Sequence, residues 1–237
     1  MHRTSFMKEI SILVPYQSDN GERDISFNWI KKYYEVVMPD AELCIGMSQS
    51  SPFNRSQAFN NAAKKATRDI FVLADGDVIY NPDIIQEAVH LLDNYPWVIP
   101  FRSVINLHQD NTDRLLQTEP SWPLNTPIDH YYVDNYYERF AGKLMVMSRD
   151  TYISSGGPDE RFVGWGGDDD AFVLALETLC GNYIKLDRDV IHLWHPRTDW
   201  SNAPNKEANM ELFGRYFQAS GDREAMLKLI KERKDSV

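Results

Sequence analysis

Short apolar runs alternate with amphipathic stretches along the first hundred residues of the chain. The runs predict four buried strands, at residues 10–14, 42–45, 69–74 and 97–101. Between them, apolar residues recur at helical spacing, which predicts helices over residues 24–38, 54–66 and 83–94. Alternating strands and helices are typical of βαβ units, so the pattern predicts an α/β fold with a mixed, mostly parallel sheet and flanking helices.

The second half of the chain departs from this rhythm. Residues 103–138 combine three prolines with a cluster of aromatic residues, and we expect them to form a long surface excursion over the sheet. That excursion either packs on its own aromatic side chains or contributes to a substrate site. The elements predicted after it are strands at 143–147 and 189–193, and helices at 149–154, 169–180, 204–219 and 222–234. This predicts a domain over residues 1–203 and a helical extension, 204–237, packed on it.

Composition narrows the classes of function. The chain has 237 residues, and 25 basic against 35 acidic side chains give a net charge of −10. An acidic chain without a basic run is a poor match to a phosphate backbone, so we expect no nucleic-acid partner. No apolar run approaches the ~20 residues of a membrane helix. The start of the chain lacks a signal-peptide pattern, and two cysteines are too few for a disulfide framework or a cysteine-based zinc site. We therefore expect a cytoplasmic protein without a transmembrane segment.

Three clusters of residues could carry chemistry. The first, Asp75-Gly76-Asp77, directly follows the third predicted strand. Ligands of open parallel sheets gather at the carboxyl ends of strands, and two carboxylates there suit a divalent cation held together with phosphate oxygens. The same tripeptide is also a common turn, and without further support the turn is the more frequent interpretation.

The second cluster places three carboxylates, residues 168–170, behind a Gly-Trp-Gly-Gly loop. Helix capping and the helix dipole explain one or two of these carboxylates but not all three. The glycines let the backbone approach a ligand closely, and Trp165 offers a flat face for a ring-shaped ligand. A carboxylate held at the edge of such a loop can act as a general base.

The third cluster is His192-Leu193-Trp194-His195-Pro196, at the end of a predicted strand. A single histidine is more often structural than functional. Two histidines three residues apart can close around a metal ion through their imidazole nitrogens. Together with the upstream pair of aspartates, they favour a metal site.

The order of these motifs, D-G-D, F-A-G-K, G-W-G-G-D-D-D and H-L-W-H-P, resembles the metal-dependent glycosyltransferases with the GT-A fold. It is most similar to the galactosyltransferase-type group, which includes the β-1,4-galactosyltransferase C-terminal domain and its bacterial relatives. In that group a W-G-G-[ED]-D run follows a glycine-rich strand. The resemblance spans about residues 10–200. It implies a Rossmann-like nucleotide-diphospho-sugar transferase fold.

The resemblance also assigns site residues, position by position. Those implied to contact the donor or its nucleotide are Pro15, Tyr16, Gln17, Phe53, Arg55, Asp75, Gly76, Trp165, Gly167 and Asp168. The implied metal ligands are Asp77, His192 and His195, and Asp169 matches the catalytic base. The chain departs from the family pattern at two places: it has no arginine near Gln17, and Asp168 stands where the family commonly has glutamate.

The activity implied is the inverting transfer of a hexose or N-acetylhexosamine from a UDP-sugar to an acceptor hydroxyl. The cofactor implied is Mn²⁺, with Mg²⁺ as the alternative, because mixed carboxylate and imidazole ligands suit manganese. The acceptor would be a glycan or glycoconjugate, in surface polysaccharide or glycoconjugate synthesis, and the C-terminal helices could pair two subunits as a homodimer. Three alternatives stay open: a retaining transferase of the same fold, a metal-dependent phosphoesterase, and a non-catalytic sugar-binding module.

Overall fold

The apolar runs form the central sheet of the computed structural model, which describes residues 7–136, 138–196 and 203–235. The six strands of this sheet are β1 (Ile10–Tyr16), β2 (Glu42–Met47), β3 (Ile70–Ala74), β5 (Trp97–Ile99), β8 (Leu144–Ser148) and β9 (Ile184–Lys185). Their order is β2-β1-β3-β8-β5-β9. Strand β1 is parallel to β2 and β3, and β5 is parallel to β9, whereas β8 is antiparallel to both of its neighbours. The predicted α/β class with a mixed sheet is confirmed.

Six helices accompany the strands in the described residues between 8 and 179. They are α1 (Glu22–Val37), α2 (Arg55–Lys65), α3 (Asp83–Leu91), α4 (Gln109–Leu116), α5 (Arg149–Ser154) and α6 (Asp168–Leu179). Helix α1 buries Phe27, Ile30 and Tyr34, as its helical spacing predicts. Helix α2 lies so close to β2 that a Cβ atom at Gly46 would be 1.8 Å from the carbonyl oxygen of Ala58. Only glycine permits this approach, which fixes α2 against the sheet.

A second sheet corrects the prediction for residues 103–138. Its strands are β4 (Val78–Ile79), β6 (Ser103–Leu107), β7 (Tyr131–Asn135) and β10 (Asp189–His192), in the order β4-β10-β6-β7. The predicted excursion therefore contains two strands and helix α4, and its longest described stretch outside helices and strands, residues 117–130, lies between α4 and β7. Strand β7 is the edge of this sheet and alternates between exposed and half-buried residues, so it lacks the apolar run by which the other strands are recognised.

The C-terminal helices pack on helix α6. They are α7 (Lys206–Ala219) and α8 (Arg223–Lys231), followed by a 3₁₀ turn, Glu232–Asp235. They form a second apolar cluster with α6, which is distinct from the main core. No helix in the described part of the chain is long and apolar enough to cross a membrane. The boundary near residue 203 stays a prediction.

Candidate functional site

Strand pairing in the second sheet brings Asp77 next to the two histidines. Strand β4 runs antiparallel to β10 with Val78 opposite His192, and the amide of Leu193 donates to the carbonyl oxygen of Asp77 at 2.9 Å. One ligand atom each from Asp77, His192 and His195 lies within 4.8 Å of the others. The Nε2 atom of His195 is 3.3 Å from Oδ2 of Asp77, and Nε2 of His192 is 3.5 Å from Oδ1.

The electrostatics of this cluster suit a cation. Burial opposes ionisation of Asp77, but its interactions with His192, Lys143 and His195 together outweigh burial and hold the pKa of this carboxyl well below its usual value. Burial and the nearby Lys143 ammonium lower the pKa of His192, which favours the neutral imidazole that binds metals. A hydrogen bond with Asp77 raises the pKa of His195.

One atom of the cluster also lacks a partner. The buried Oδ1 atom of Asp77 accepts no hydrogen bond from any described residue. Buried carboxylate oxygens are normally paired, so this atom marks a place where a cation would satisfy it. The residues therefore fit a divalent metal ion.

On the other side of Asp75, Arg55 binds three carboxylates. Its Nε atom donates to Asp75 Oδ1 at 2.8 Å and its Nη1 atom to Asp168 Oδ2 at 3.1 Å, and Nη1 also contacts Asp169. The Nη2 atom donates to the carbonyl oxygen of Gly142 at 3.1 Å. Asp75 thus faces Arg55 rather than the cluster around Asp77, although the two aspartates are two residues apart.

Asp169, the residue predicted to be the base, has a strongly shifted pKa. It lies in the first turn of α6, whose N-cap is Gly167 in the left-handed conformation. Burial raises the pKa of Asp169 to about 7; Arg55 opposes this rise, whereas Asp168 and Asp75 add to it. A base with a pKa near the working pH is effective in proton transfer.

A residue larger than glycine at position 142 would clash with the carboxylate of Asp169. A Cβ atom at Gly142 would lie 2.4 Å from Oδ2 of Asp169. The glycine therefore keeps the space around this carboxylate open. The carboxylates of residues 168–170 lie inside the first turn of the helix, where the helix dipole favours them, whereas the N-cap is Gly167 and has no side-chain cap. The capping part of the sequence-based explanation is therefore wrong, and the dipole part agrees with the structure.

Three of the residues predicted to contact the donor, Pro15, Tyr16 and Gln17, lie at the end of β1. The Tyr16 ring stacks on Phe27, with ring centroids 3.8 Å apart, and its hydroxyl donates to Asp24 at 2.7 Å. Gly76 packs against this strand end, where a Cβ atom would lie 3.2 Å from the carbonyl oxygen of Pro15. The strand end and the Asp75–Asp77 turn are therefore adjacent.

Two further predicted residues present groups that could receive a ligand. The buried Oε1 atom of Gln17 has no hydrogen-bond partner within the described residues. Trp165 is 56% exposed on its glycine-flanked loop. That loop lies against the start of α2, because the amide of Gly164 donates to the carbonyl oxygen of Phe53 at 3.0 Å.

Sequence reasoning missed two polar residues of the site. Lys143 places its Nζ atom 3.3 Å from His192 Nε2 and 3.6 Å from Asp75 Oδ2. A lone lysine before a strand carries no signal by itself, although the F-A-G-K motif contains it. Asn106 contacts His192 from β6 and is 3% exposed. A polar residue between Ile105 and Leu107 of a partly buried strand is a signal that could have found it.

Two protein-family models match segments of the chain. Residues 18–152 match the model of glycosyl transferase family 2, and residues 123–195 match a model described as the N-terminal domain of galactosyltransferase. Together these segments contain all the predicted site residues except those of residues 15–17. A relative is the xylosylprotein 4-beta-galactosyltransferase of Caenorhabditis elegans, 24% identical over 179 residues. The alignment covers 73% of this chain and 52% of that protein, so the chain spans about half the length of this curated relative.

Two solved structures of the Drosophila enzyme beta-1,4-galactosyltransferase 7 are also similar. Its catalytic domain in complex with xylobiose matches with a TM-score of 0.44 and 16% identity. A mutant in complex with manganese, UDP-Gal and xylobiose matches with a TM-score of 0.46 and 15% identity. Each match covers 74% of this chain and 63% of the other. The assignment itself comes from the match over residues 18–152, which is more than half of the chain: the protein belongs to glycosyl transferase family 2.

Proposed function

We propose that this protein is a metal-dependent glycosyltransferase that moves a hexose or N-acetylhexosamine from a UDP-sugar to an acceptor hydroxyl with inversion. The observation that carries the proposal is the chain of contacts between a metal-ligand cluster and a candidate base. Lys143 contacts His192 on one side and Asp75 on the other, and Asp75 shares Arg55 with Asp169. Cation ligands, two basic side chains and a base thus line one continuous site.

We assign Asp77, His192 and His195 as the ligands of the cation. Their carboxylate and imidazole donors favour Mn²⁺, with Mg²⁺ as the alternative. When bound, the ion would neutralise charge on the diphosphate leaving group. The side chain of Lys143 carries positive charge beside this cluster, and that of Arg55 lies on the other side of Asp75; we assign both to the phosphate oxygens.

Asp169 is assigned to the acceptor. Its carboxylate accepts the proton of the acceptor hydroxyl, which attacks the anomeric carbon from the face opposite the nucleotide. Because its pKa is about 7, a substantial fraction of Asp169 is ionised at neutral pH and the group can still hold a proton. A nucleotide that draws Arg55 toward its phosphates would free this carboxylate for the acceptor.

The choice of donor follows from the relatives. The similar curated protein is a galactosyltransferase, and so is the family matched by residues 123–195, so UDP-galactose is the first donor to test. The acceptor is a hydroxyl of a glycan or glycoconjugate, and we place the reaction in surface polysaccharide or glycoconjugate synthesis. Cytoplasmic location and a homodimer through the C-terminal helices stay predictions.

The test is a donor screen with product analysis. The purified chain is incubated with a panel of UDP-sugars and candidate glycan acceptors, with Mn²⁺ or with EDTA. We expect glycoside product and UDP with Mn²⁺ only, the product having the anomeric configuration opposite to the donor by NMR. Asp77→Asn should abolish turnover, whereas the exposed control Asp93→Asn should not. Release of inorganic phosphate without sugar transfer would favour the phosphoesterase, and retained configuration would exclude single displacement.

A further inference from the structure

A buried amide lies directly behind His192, on the side away from Asp77. Asn106 is opposite His192 in the parallel pairing of β6 with β10. Its Oδ1 atom is 2.8 Å from Nδ1 of His192. Its Nδ2 atom is 3.1 Å from Oδ2 of Asp134 and 3.3 Å from the carbonyl oxygen of Val104.

These contacts fix which way the amide points. A carboxylate and a backbone carbonyl can only accept hydrogen bonds, so the NH₂ group of Asn106 must face Asp134 and Val104. The amide oxygen then faces His192, and an oxygen acceptor there requires a proton on Nδ1. The lone pair of the neutral imidazole is consequently on Nε2, toward Asp77.

A second contact leads to the same tautomer. The Nζ atom of Lys143 lies 3.3 Å from Nε2 of His192. An ammonium group has no lone pair, so it can only donate, and Nε2 must accept. The two ring nitrogens are thus assigned by separate neighbours on opposite sides of the ring.

We propose that Asn106, oriented by Asp134, is a positioning residue that holds His192 in its Nδ1–H tautomer and thereby presents Nε2 as a metal ligand. The inference rests on the metal site of the proposed function. Nε2 of His192 and Oδ1 of Asp77 then face each other as two acceptors 3.5 Å apart. Two facing lone pairs repel unless a cation lies near both. Without metal the Lys143 ammonium contacts Nε2, and the tautomer leaves both acceptor atoms ready for a metal ion.

The tautomer can be measured without metal or turnover. Long-range ¹H–¹⁵N NMR of the metal-free full chain at pH 8 distinguishes a protonated from an unprotonated ring nitrogen, and His192→Gln assigns the signal. We expect Nδ1 protonated in the wild type. Asn106→Leu should give a mixture of tautomers and weaken Mn²⁺ binding, measured by titration calorimetry, by roughly 10- to 100-fold. Asn111→Leu, which removes a buried amide that contacts Pro127, is the matched control and should leave both readouts unchanged.

Exchanging the side chains of Asn106 and Asp134 distinguishes loss of the tautomer from simple misfolding. The double variant Asn106→Asp with Asp134→Asn keeps an oxygen acceptor against Nδ1 and an amide donor behind it. It should restore the Nδ1–H tautomer and most of the Mn²⁺ affinity that Asn106→Leu loses. A wild type with the proton on Nε2, or an Asn106→Leu protein with unchanged tautomer and affinity, would overturn the inference. A wild type that has the Nδ1–H tautomer but binds no Mn²⁺ would instead overturn the metal site of the proposed function.

Discussion

Replacing Asp169 by asparagine should separate catalysis from stability. The change keeps the size of the side chain and removes its ability to take a proton. A general base contributes roughly 10²- to 10⁴-fold to rate, so we expect kcat for sugar transfer to fall by that factor. UDP-sugar binding should change little, because the cation ligands and Lys143 are untouched. Arg55 also keeps two of its three carboxylate partners, Asp75 and Asp168.

The same substitution should stabilise the protein, in a way that depends on pH. The pKa of Asp169 is raised from 3.8 to about 7, so between these values the folded chain holds a proton that the unfolded chain releases. Stability therefore falls as pH rises through this window and reaches its lower level above about pH 7. A shift of about 3 units corresponds to at most roughly 4 kcal/mol. With partial exposure and screening, we expect Asp169→Asn to gain about 1–2 kcal/mol at pH 8, less than half of that at pH 5, and almost nothing below about pH 4.

Two measurements on one protein check both statements. Transfer is followed with UDP-sugar, Mn²⁺ and acceptor, and urea unfolding of the metal-free protein is recorded at pH 5 and pH 8. Asp170→Asn is the control, since it neutralises a neighbouring carboxylate of the same helix turn without touching the proposed base. Near-normal transfer by Asp169→Asn would show that this residue is not the base. An equal stability difference at both pH values would show that its ionisation is not suppressed by burial.

Three other perturbations test the rest of the site. Lys143→Met should strengthen binding of Mn²⁺ alone by about 3- to 10-fold, because it removes a positive charge beside His192. The same change should weaken UDP binding when Mn²⁺ is present. Calorimetry that shows both affinities unchanged would exclude the lysine from the site. His195→Ala should raise the Mn²⁺ concentration needed for half-maximal activity by at least tenfold, and an unchanged metal requirement would remove it from the ligand set. Trp165→Ala should raise KM for donor or acceptor with little change in Tm, since the ring is 56% exposed, whereas a large loss of Tm at constant KM would make it a packing residue.

The sequence predicts the elements that have a clear hydrophobic period. It does not predict the elements that depend on pairing with another strand. Strand β1 and helix α1 follow from their own apolar residues. Strand β7 does not, because Tyr131 and Val133 are exposed and its place comes from pairing with β6. The grouping of Asp77 with the two histidines follows from motif order, but the pairing of β4 with β10 that produces it is visible only in the structure.

Contacts between distant loops are harder still to predict. Arg55 contacts Asp75, Gly142 and Asp169, and these four residues come from four separate parts of the chain. No local pattern encodes such a meeting, because each partner is positioned by its own helix or strand. The resemblance to known enzymes implied a phosphate-binding role for Arg55 but not the carboxylates that hold it.

Helix α6 contributes residues to two hydrophobic clusters, and this affects how the protein unfolds locally. Phe172, Val173 and Leu176 belong to the main core, whereas Ala171, Leu174 and Ala175 belong to the cluster under the C-terminal helices. Detachment of residues 206–231 would uncover half of the helix while the central sheet stays intact. Opening of this kind needs less free energy than global unfolding and appears as faster amide hydrogen exchange in a contiguous unit. Because the helix carries Asp169 in its first turn, partly opened molecules should lose the proposed base while the proposed nucleotide side is still folded, so heat inactivation of the proposed transfer would precede melting of the sheet.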